Sequence, residues 1–205
     1  MTVEAAAERE LARVPDWLWD GIDAPVPVEA IADSHFGLLV DEGTDLAALA
    51  ALAGGDGGPG GTVSGLLLPD RKEIWVDAGE AARAPGRRRF TIAHEVGHWV
   101  LHCLRGATGA DRPVHCRATE VREEVAADRA EADRAPPAPG PRVRPARGYP
   151  PSELEANGFA AALLMPRALV VREHERLDGD CPALARAFGV SRLAMERPLW
   201  FLSCG

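Results

Sequence analysis

The chain contains a short pattern of residues that could bind a metal ion and activate water. His94, Glu95 and His98 spell H-E-x-x-H within the stretch RRRFTIAHEVGHWVLH at 87–102. On a helix, side chains four residues apart project from one face. That spacing lets both imidazoles bind one Zn²⁺ at roughly 2.0–2.1 Å. Glu95 then lies beside the ion, where it can take a proton from a zinc-bound water.

The glycine inside this pattern is also informative. Gly97 costs a helix roughly 1 kcal/mol relative to alanine, so it suggests that another element packs close to this turn. The alternative interpretation is an ordinary amphipathic helix with two solvated histidines. Because His, Glu and a second His rarely occur together by chance at this spacing, we favour the metal site.

A zinc hydrolase needs a third protein ligand and one open coordination position. The candidates are Glu153 and Glu155, in SELEANGFAAALLMP at 152–166. Glu153 shares a helix face with Asn157, which could brace a zinc-bound histidine. Glu155 has a competing role, because Ser152 and Glu155 form the S-x-x-E pattern of a capping box. We therefore expect Glu153 to be the ligand, although an acidic first turn favoured by the helix dipole would explain both residues without a metal.

The elements that position these residues follow from hydrophobic periodicity and turn signals. A helix of roughly 90–104 is expected to carry the motif, and a β-hairpin at 64–79 precedes it. The second hairpin strand, Glu73–Asp77, could pair with an extended substrate by strand addition, unless it is simply an edge or central strand. The remaining predicted elements are a helix at 26–34, a strand at 35–40, helices at 45–53 and 152–166, and a helix–turn–helix at 181–200.

Composition indicates an acidic globular protein. The 205 residues are 46% hydrophobic and 26% charged, with a formal net charge of −8. Direct nucleic-acid binding is not expected of such a chain. The helix–turn–helix spelling at 181–196 does not change this, because its second helix offers Arg192 and Arg197 against Glu196. We expect a packed helical pair there.

Nothing in the sequence predicts a membrane or secreted location. The best apolar run, FAAALLM at 159–165, is far shorter than a membrane span. The first residues carry early acidic side chains and no apolar signal-peptide core. The expected compartment is therefore the cytosol, where the four cysteines would stay reduced. The neighbouring pairs His102-Cys103 and His115-Cys116 could imitate a second zinc site, but adjacent helical residues point apart, and Cys103 continues an apolar face.

Residues 105–150 differ in composition from the rest, being rich in Pro, Arg and Ala. A short charged helix is possible at 119–135, and no regular structure is expected at 135–151. Since the chemistry needs residues from both sides, we interpret this segment as a flexible insertion within one domain spanning 1–205. Tyr149 is a candidate oxyanion donor, although packing on an apolar surface is favoured. The flanking parts are 26–104 and 151–205, the latter carrying the third-ligand helix and the C-terminal helices.

These segments together resemble the ImmA/IrrE family of metallopeptidases. RRRFTIAHEVGHWVLH is followed by ELEANGFAAALLMP and LARAFGVSRLAMER and preceded by the hairpin SGLLLPDRKEIWVD. The resemblance covers roughly 26–196, apart from the insertion. It implies an α+β, zincin-like fold, in which a small mixed sheet packs on the H-E-x-x-H helix and the C-terminal part is helical. The long insertion and the break at Arg197-Pro198-Leu199 depart from the usual family pattern.

The resemblance also implies a function. Zinc would be held by His94, His98 and Glu153, with Glu95 as catalytic base; such a donor set also accepts Mn²⁺. The chain would be a cytosolic zinc endopeptidase acting on a protein partner, typically a helix-turn-helix transcriptional repressor, in gene regulation, mobile-element control or stress response. The alternative is a non-catalytic, metal-stabilised regulatory module that binds a transcription factor. The oligomeric state is left open.

Overall fold

The computed structural model describes residues 2–52, 63–104, 114–117 (backbone only) and 150–196. These residues combine a small sheet with a larger set of helices, as expected for an α+β fold. The strands are β1 (Leu39–Gly43), β2 (Val63–Leu68), β3 (Glu73–Asp77) and β4 (Val114–Arg117). The helices are α1 (Val3–Leu11), α2 (Val28–Ala30), α3 (Leu46–Leu52), α4 (Ala78–Arg83), α5 (Pro85–His98), α6 (Pro151–Leu164), α7 (Arg167–Arg176) and α8 (Cys181–Phe188). Two π-helical segments, Ile31–His35 and Trp99–Cys103, continue α2 and α5.

The sheet is mixed, with strand order β1-β3-β2-β4. β1 runs parallel to β3, with Leu39 opposite Glu73, whereas β2 and β4 are antiparallel to their neighbours. Because β3 is hydrogen-bonded on both sides, it cannot accept another strand. The prediction that a substrate could pair with Glu73–Asp77 is therefore wrong. The two strands at the ends of this order are β1 and β4.

The predicted hairpin at 64–79 is confirmed. A short 3₁₀ turn at Pro69–Arg71 joins β2 to β3, and Lys72 closes the turn in the left-handed conformation with a φ of 52°. Ile74 and Val76 are buried on the face of β3 that joins the main core. Trp75 packs on the opposite face, against a smaller apolar cluster. This alternation follows from the two-residue period of a strand.

The helix that carries H-E-x-x-H lies between the sheet and α6. It begins at Pro85, five residues before the predicted start, since proline at the first turn leaves no unsatisfied backbone N–H. Beyond His98 it continues as the π segment, which ends with a hydrogen bond from Leu104 N to Trp99 O of 2.9 Å. The apolar face predicted for this helix is buried, including Ile92, Val96 and Val100. The small sheet, the central helix and the helical C-terminal part confirm the predicted fold class.

Other boundaries differ from the sequence prediction. The predicted helix at 26–34 is formed by α2 and its π segment, but the predicted strand at 35–40 begins only at Leu39. Gly37, with a φ of +67°, first turns the chain out of the helix. The predicted helix at 45–53 is α3. The first helix of the predicted C-terminal pair is α8, and Gly189, in the left-handed conformation, ends it. Residues 192–196 are helical, and the rest of that pair lies outside the described residues.

Four elements were not predicted: α1, α4, α7 and β4. Of these, β4 lies inside the predicted insertion and pairs with β2, so this stretch belongs to the sheet. The predicted helix at 119–135 and the Pro- and Arg-rich stretch before residue 150 lie outside the described residues. Among the described helices, none alone is long and apolar enough to cross a membrane, and only α6 and α7 together, bent by 47°, meet that test.

Candidate metal centre

The two histidines of the motif face each other inside the protein. The His94 side chain is fully buried and that of His98 is 1% exposed. Their Nε2 atoms are 3.0 Å apart, and the rings meet edge to face with centroids separated by 4.7 Å. At this separation one ring N–H can donate to the other ring nitrogen, and the same spacing suits two nitrogens bound to one ion. The solvated alternative does not fit this burial.

Glu153 on α6 completes a triangle with these nitrogens. Its carboxylate oxygens lie 3.2 Å from His98 Nε2 and 3.3 Å from His94 Nε2. Ligand atoms bound tetrahedrally at 2.0–2.1 Å from one zinc ion are about 3.3 Å apart. The three side chains could therefore hold a metal ion, and their donor atoms are already spaced for it.

Asn157, one helical turn after Glu153, orients the first histidine. Its Oδ1 lies 3.0 Å from His94 Nδ1. An amide oxygen only accepts hydrogen bonds, so Nδ1 carries the proton and donates it, and Nε2 keeps its lone pair for the ion. This is the bracing contact expected from the sequence.

The protonation states also suit a metal. Burial lowers the pKa of His98, which keeps its imidazole neutral. Burial alone would raise the pKa of Glu153, but its close contacts with the ring nitrogens of His94 and His98 more than offset it and hold the pKa at about 2. A neutral imidazole and an ionised carboxylate are the forms that bind a cation, so the residues present fit a divalent ion.

Glu95 is fully buried and lies between α5 and the sheet. Its position depends on Gly65 of β2, because a Cβ atom at Gly65 would lie 2.8 Å from Glu95 Oε1. The absence of a side chain at this point of the strand leaves the space that the carboxylate fills. Gly65 of β2 therefore shapes the candidate catalytic site. The sequence pattern did not indicate this role.

The close packing predicted from Gly97 is confirmed. A Cβ atom there would lie 3.1 Å from the carbonyl oxygen of Ala156 and 3.3 Å from Cβ of Phe159. The glycine lets the backbones of α5 and α6 approach closely. That approach brings Glu153 within reach of the two histidines.

The capping role expected of Glu155 is wrong. α6 begins at Pro151, Pro150 occupies the N-cap position, and none of the described side chains caps the helix. The two prolines set the backbone for a start one residue earlier, so Ser152 lies inside the helix. The Glu155 carboxylate instead lies 3.7 Å from His102 Nε2. It is not part of the group formed by Glu153 and the motif histidines.

The other candidate residues lie elsewhere. Tyr149 is outside the described residues, as are the side chains of His115 and Cys116. Cys103 is partly buried against the main core, and burial raises the pKa of its thiol, which suits the apolar role expected of it. His102 follows His98 at the same spacing as His98 follows His94, a sequence signal that the second-zinc-site hypothesis does not use.

A separate cavity of about 490 Å³ lies beside β1. None of the described metal-centre residues lines it. Its lining residues are Pro27, Val28, Glu29, Ala30, Asp33, Leu39, Val40 and Arg89. The cavity and the metal centre are therefore distinct features.

Comparison with known proteins supports the resemblance seen in the sequence. Residues 142–199 match the family model of the IrrE N-terminal-like domain, a peptidase family. This confirms the recognition over the part of the chain that carries Glu153 and Asn157; the match does not extend to His94 and His98. No curated protein matches the chain.

Among solved structures, the chain is similar to a Mycobacterium tuberculosis transcriptional regulator. The sequences are 20% identical, the alignment covers 94% of this chain and 44% of that one, and the TM-score is 0.48. The chain thus spans less than half the length of this relative. A likeness at this level carries no argument about function.

Proposed function

We propose that this chain is a zinc-dependent endopeptidase whose metal is held by His94, His98 and Glu153. The observation that carries this proposal is the triangle of donor atoms, 3.0–3.3 Å apart, formed by two buried histidines and one carboxylate. Three protein ligands leave one coordination position open, which distinguishes a catalytic from a structural zinc site. The match to a peptidase family model supports the same conclusion.

A divalent ion in this position supplies Lewis acidity, which polarises a peptide carbonyl and makes a water molecule easier to deprotonate. Glu95 accepts the proton from that water and delivers it to the nitrogen of the departing amine. Its burial against Gly65 keeps the carboxylate in one place. Asn157 holds the tautomer of His94, and the hydrogen-bonded Glu153 stays ionised.

Zinc is the proposed metal because two imidazoles and a carboxylate are a common donor set for catalytic zinc. Mn²⁺ fits the same donors, and the occupant in the cell depends on supply. We place the reaction in the cytosol, where the free thiols of Cys103 and Cys181 would remain reduced. Residues on both sides of 105–150 contribute ligands, which supports a single domain.

The proposed substrate is a protein, and from the family resemblance we infer a helix-turn-helix transcriptional repressor. An extended segment of it would pair with the outer edge of β4, since β4 ends the order of the described strands and lies against α5. Pairing at that edge would present a peptide bond beside the helix that carries the histidines. Recognition through the partner protein requires no direct nucleic-acid contact by this chain.

The first test is metal content. Purified protein, reconstituted with zinc or manganese, should hold about one ion per chain by elemental mass spectrometry. Glu153→Ala should lose the ion, whereas Glu175→Ala, which removes an exposed carboxylate on α7, should keep it. Wild-type protein without stoichiometric metal would overturn the proposal.

The second test separates catalysis from binding. Glu95→Gln keeps the shape of the side chain but removes the base, so it should retain the metal and lose cleavage of a quenched-fluorescence peptide library. Cleavage by the wild type alone supports the peptidase. If the variant with bound metal still inactivated a repressor partner, the chain would be a metal-stabilised binding module instead.

A further inference from the structure

His102 extends the row of histidines on the helix of the candidate metal centre. Its ring centroid lies 5.5 Å from that of His98, with the ring planes inclined by 47°. The side chain is 24% exposed, and its Nε2 atom is buried without a hydrogen bond to any described residue. Neither the ligand triangle nor the proposed proton transfers use this histidine.

The π segment at Trp99–Cys103 keeps this ring beside His98. In a regular α-helix, a residue four positions later is rotated by about 40° around the axis. A π turn contains more residues, so the same four positions fall short of a full turn and the side chain lies on the other side of its starting direction. The hydrogen bond from Leu104 N to Trp99 O closes this wider turn. The His102 ring lies next to the ring of His98, the proposed metal ligand.

Glu155 reaches His102 from the opposite helix. Its Oε2 lies 3.7 Å from His102 Nε2, within ion-pair range, and its side chain is 52% exposed. Besides the contact of His94 with Glu153, α5 and its π segment meet α6 through two successive histidine–glutamate pairs: His98 with Glu153, and His102 with Glu155. The first pair is buried, and the second lies at the surface next to it.

We propose that His102 and Glu155 are positioning residues for the metal centre: Glu155 holds the His102 ring against His98, which fixes the ring orientation that presents His98 Nε2 to Glu153. A histidine ring that turns over would offer the other nitrogen and lose the triangle. Residues that orient a ligand in this way commonly change metal affinity by 10- to 100-fold. This inference rests on the proposed metal site.

The test is zinc affinity, measured by competition with a chromophoric chelator of known affinity. His102→Ala and Glu155→Gln should each weaken zinc binding about 10-fold. His102→Phe should recover part of the loss, because it keeps a ring against His98. Glu175→Gln is the matched control on α7 and should bind zinc as the wild type does.

A second readout separates positioning from a general loss of structure. Co²⁺ in place of zinc gives a visible absorption spectrum that reports ligand geometry, and His102→Ala should alter this spectrum while the metal-free variants keep their helical circular dichroism. If His102→Ala and Glu155→Gln bind zinc within twofold of wild type, the positioning role is wrong and the metal site stands. If the wild type itself binds no zinc, the proposed function fails, and the positioning role fails with it.

Discussion

Gly97 on α5 rests directly on the backbone of Ala156 on α6. A Cβ atom at Gly97 would lie 3.1 Å from the carbonyl oxygen of Ala156 and 3.2 Å from its Cα. Both neighbours belong to the main chain of a helix and cannot rotate away as a side chain can. The separation of the two helices, and with it the distance from Glu153 to the histidines, is therefore set at this contact.

Replacing Gly97 by alanine should destabilise the protein and weaken metal binding. Overpacking typically costs about 1–3 kcal/mol, and the gain of about 1 kcal/mol in helix propensity offsets only part of it. We expect a lower urea midpoint and a zinc affinity reduced about 10-fold, since the helices must separate by a few tenths of an ångström. Urea unfolding and chelator competition measure the two effects.

The matched control is Gly79→Ala on α4. The nearest atoms to a Cβ atom there belong to the side chains of Asp77 and Arg83, at 3.2–3.5 Å. The closest is Asp77 Oδ1, which caps α4 by accepting a hydrogen bond from Glu80 N. Stability should fall less than in Gly97→Ala, because side chains can shift and a helix backbone cannot. A Gly97→Ala protein as stable as this control, with normal zinc affinity, would contradict the backbone contact.

Replacing Gly65 by alanine should impair catalysis more than metal binding. The new methyl group would clash first with the methyl carbon of Thr91 and would also lie 2.8 Å from Glu95 Oε1, so both side chains on this face of α5 must shift and the proposed base is displaced. A misplacement of about 1 Å can cost on the order of 100-fold in rate. Peptide-library cleavage should fall accordingly, whereas zinc content stays at one ion per chain; a normal cleavage rate would show that Glu95 is not held by this strand.

Changing Asn157 should reveal how much its hydrogen bond contributes to the metal centre. Asn157→Leu leaves His94 Nδ1–H without its acceptor at 3.0 Å, so zinc affinity should fall about 10- to 100-fold. Asn157→Asp keeps an acceptor oxygen in the same place and should bind zinc at least as tightly as the wild type. Equal affinities for the leucine and aspartate variants would exclude the bracing role.

The ion pairs by which Arg88 joins α5 to α2 and β1 should make a small, pH-dependent contribution to stability. Arg88 bonds Glu29 at 2.5 Å and Glu42 at 2.8 Å. The hydrogen bond from Arg88 lowers the pKa of Glu29 below its ordinary value of 4.5. A carboxyl group with a lowered pKa stabilises the fold above its unfolded-state pKa, and this is lost as the pH falls through the folded-state value.

Glu29→Gln should therefore lower the urea midpoint at pH 7, and the difference from wild type should shrink as the pH falls below 4.5 and vanish below the lowered folded-state pKa. The effect should be small, because both side chains are partly exposed to solvent. In an Arg88→Leu background the same substitution should have little further effect. A difference that stays constant from pH 7 to pH 3 would rule out this ion pair as the cause.

The sequence was most informative where the geometry is local. The spacing of His94 and His98 fixes their relative direction on any helix, and Glu153 with Asn157 follows the same rule on α6. That these two helices meet is a long-range fact, and only the ligand chemistry and Gly97 pointed to it. The hairpin could be predicted because its turn and its alternating residues lie within one short stretch.

The missed features depend on deviations from regular periods or on distant neighbours. A π turn has no distinct residue pattern, so the boundary between Ile31–His35 and β1 was misplaced. The pairing of His102 with Glu155 joins an irregular turn to a helix whose start was shifted by Pro150 and Pro151. β4 occurs in a segment whose composition predicts no sheet, and only its pairing with β2 defines it.

The contact between Gly97 and Ala156 joins two helices separated by a long stretch of chain. The entropy lost in closing such a loop grows only with the logarithm of its length, about 0.6 kcal/mol for each doubling. Doubling the number of residues between β4 and α6, which leaves the pairing of β4 with β2 in place, would thus change stability by less than a typical single substitution. Changes in the number of these residues therefore cost little stability. Proteins with this fold can gain or lose residues between the two halves of the site and still keep the site.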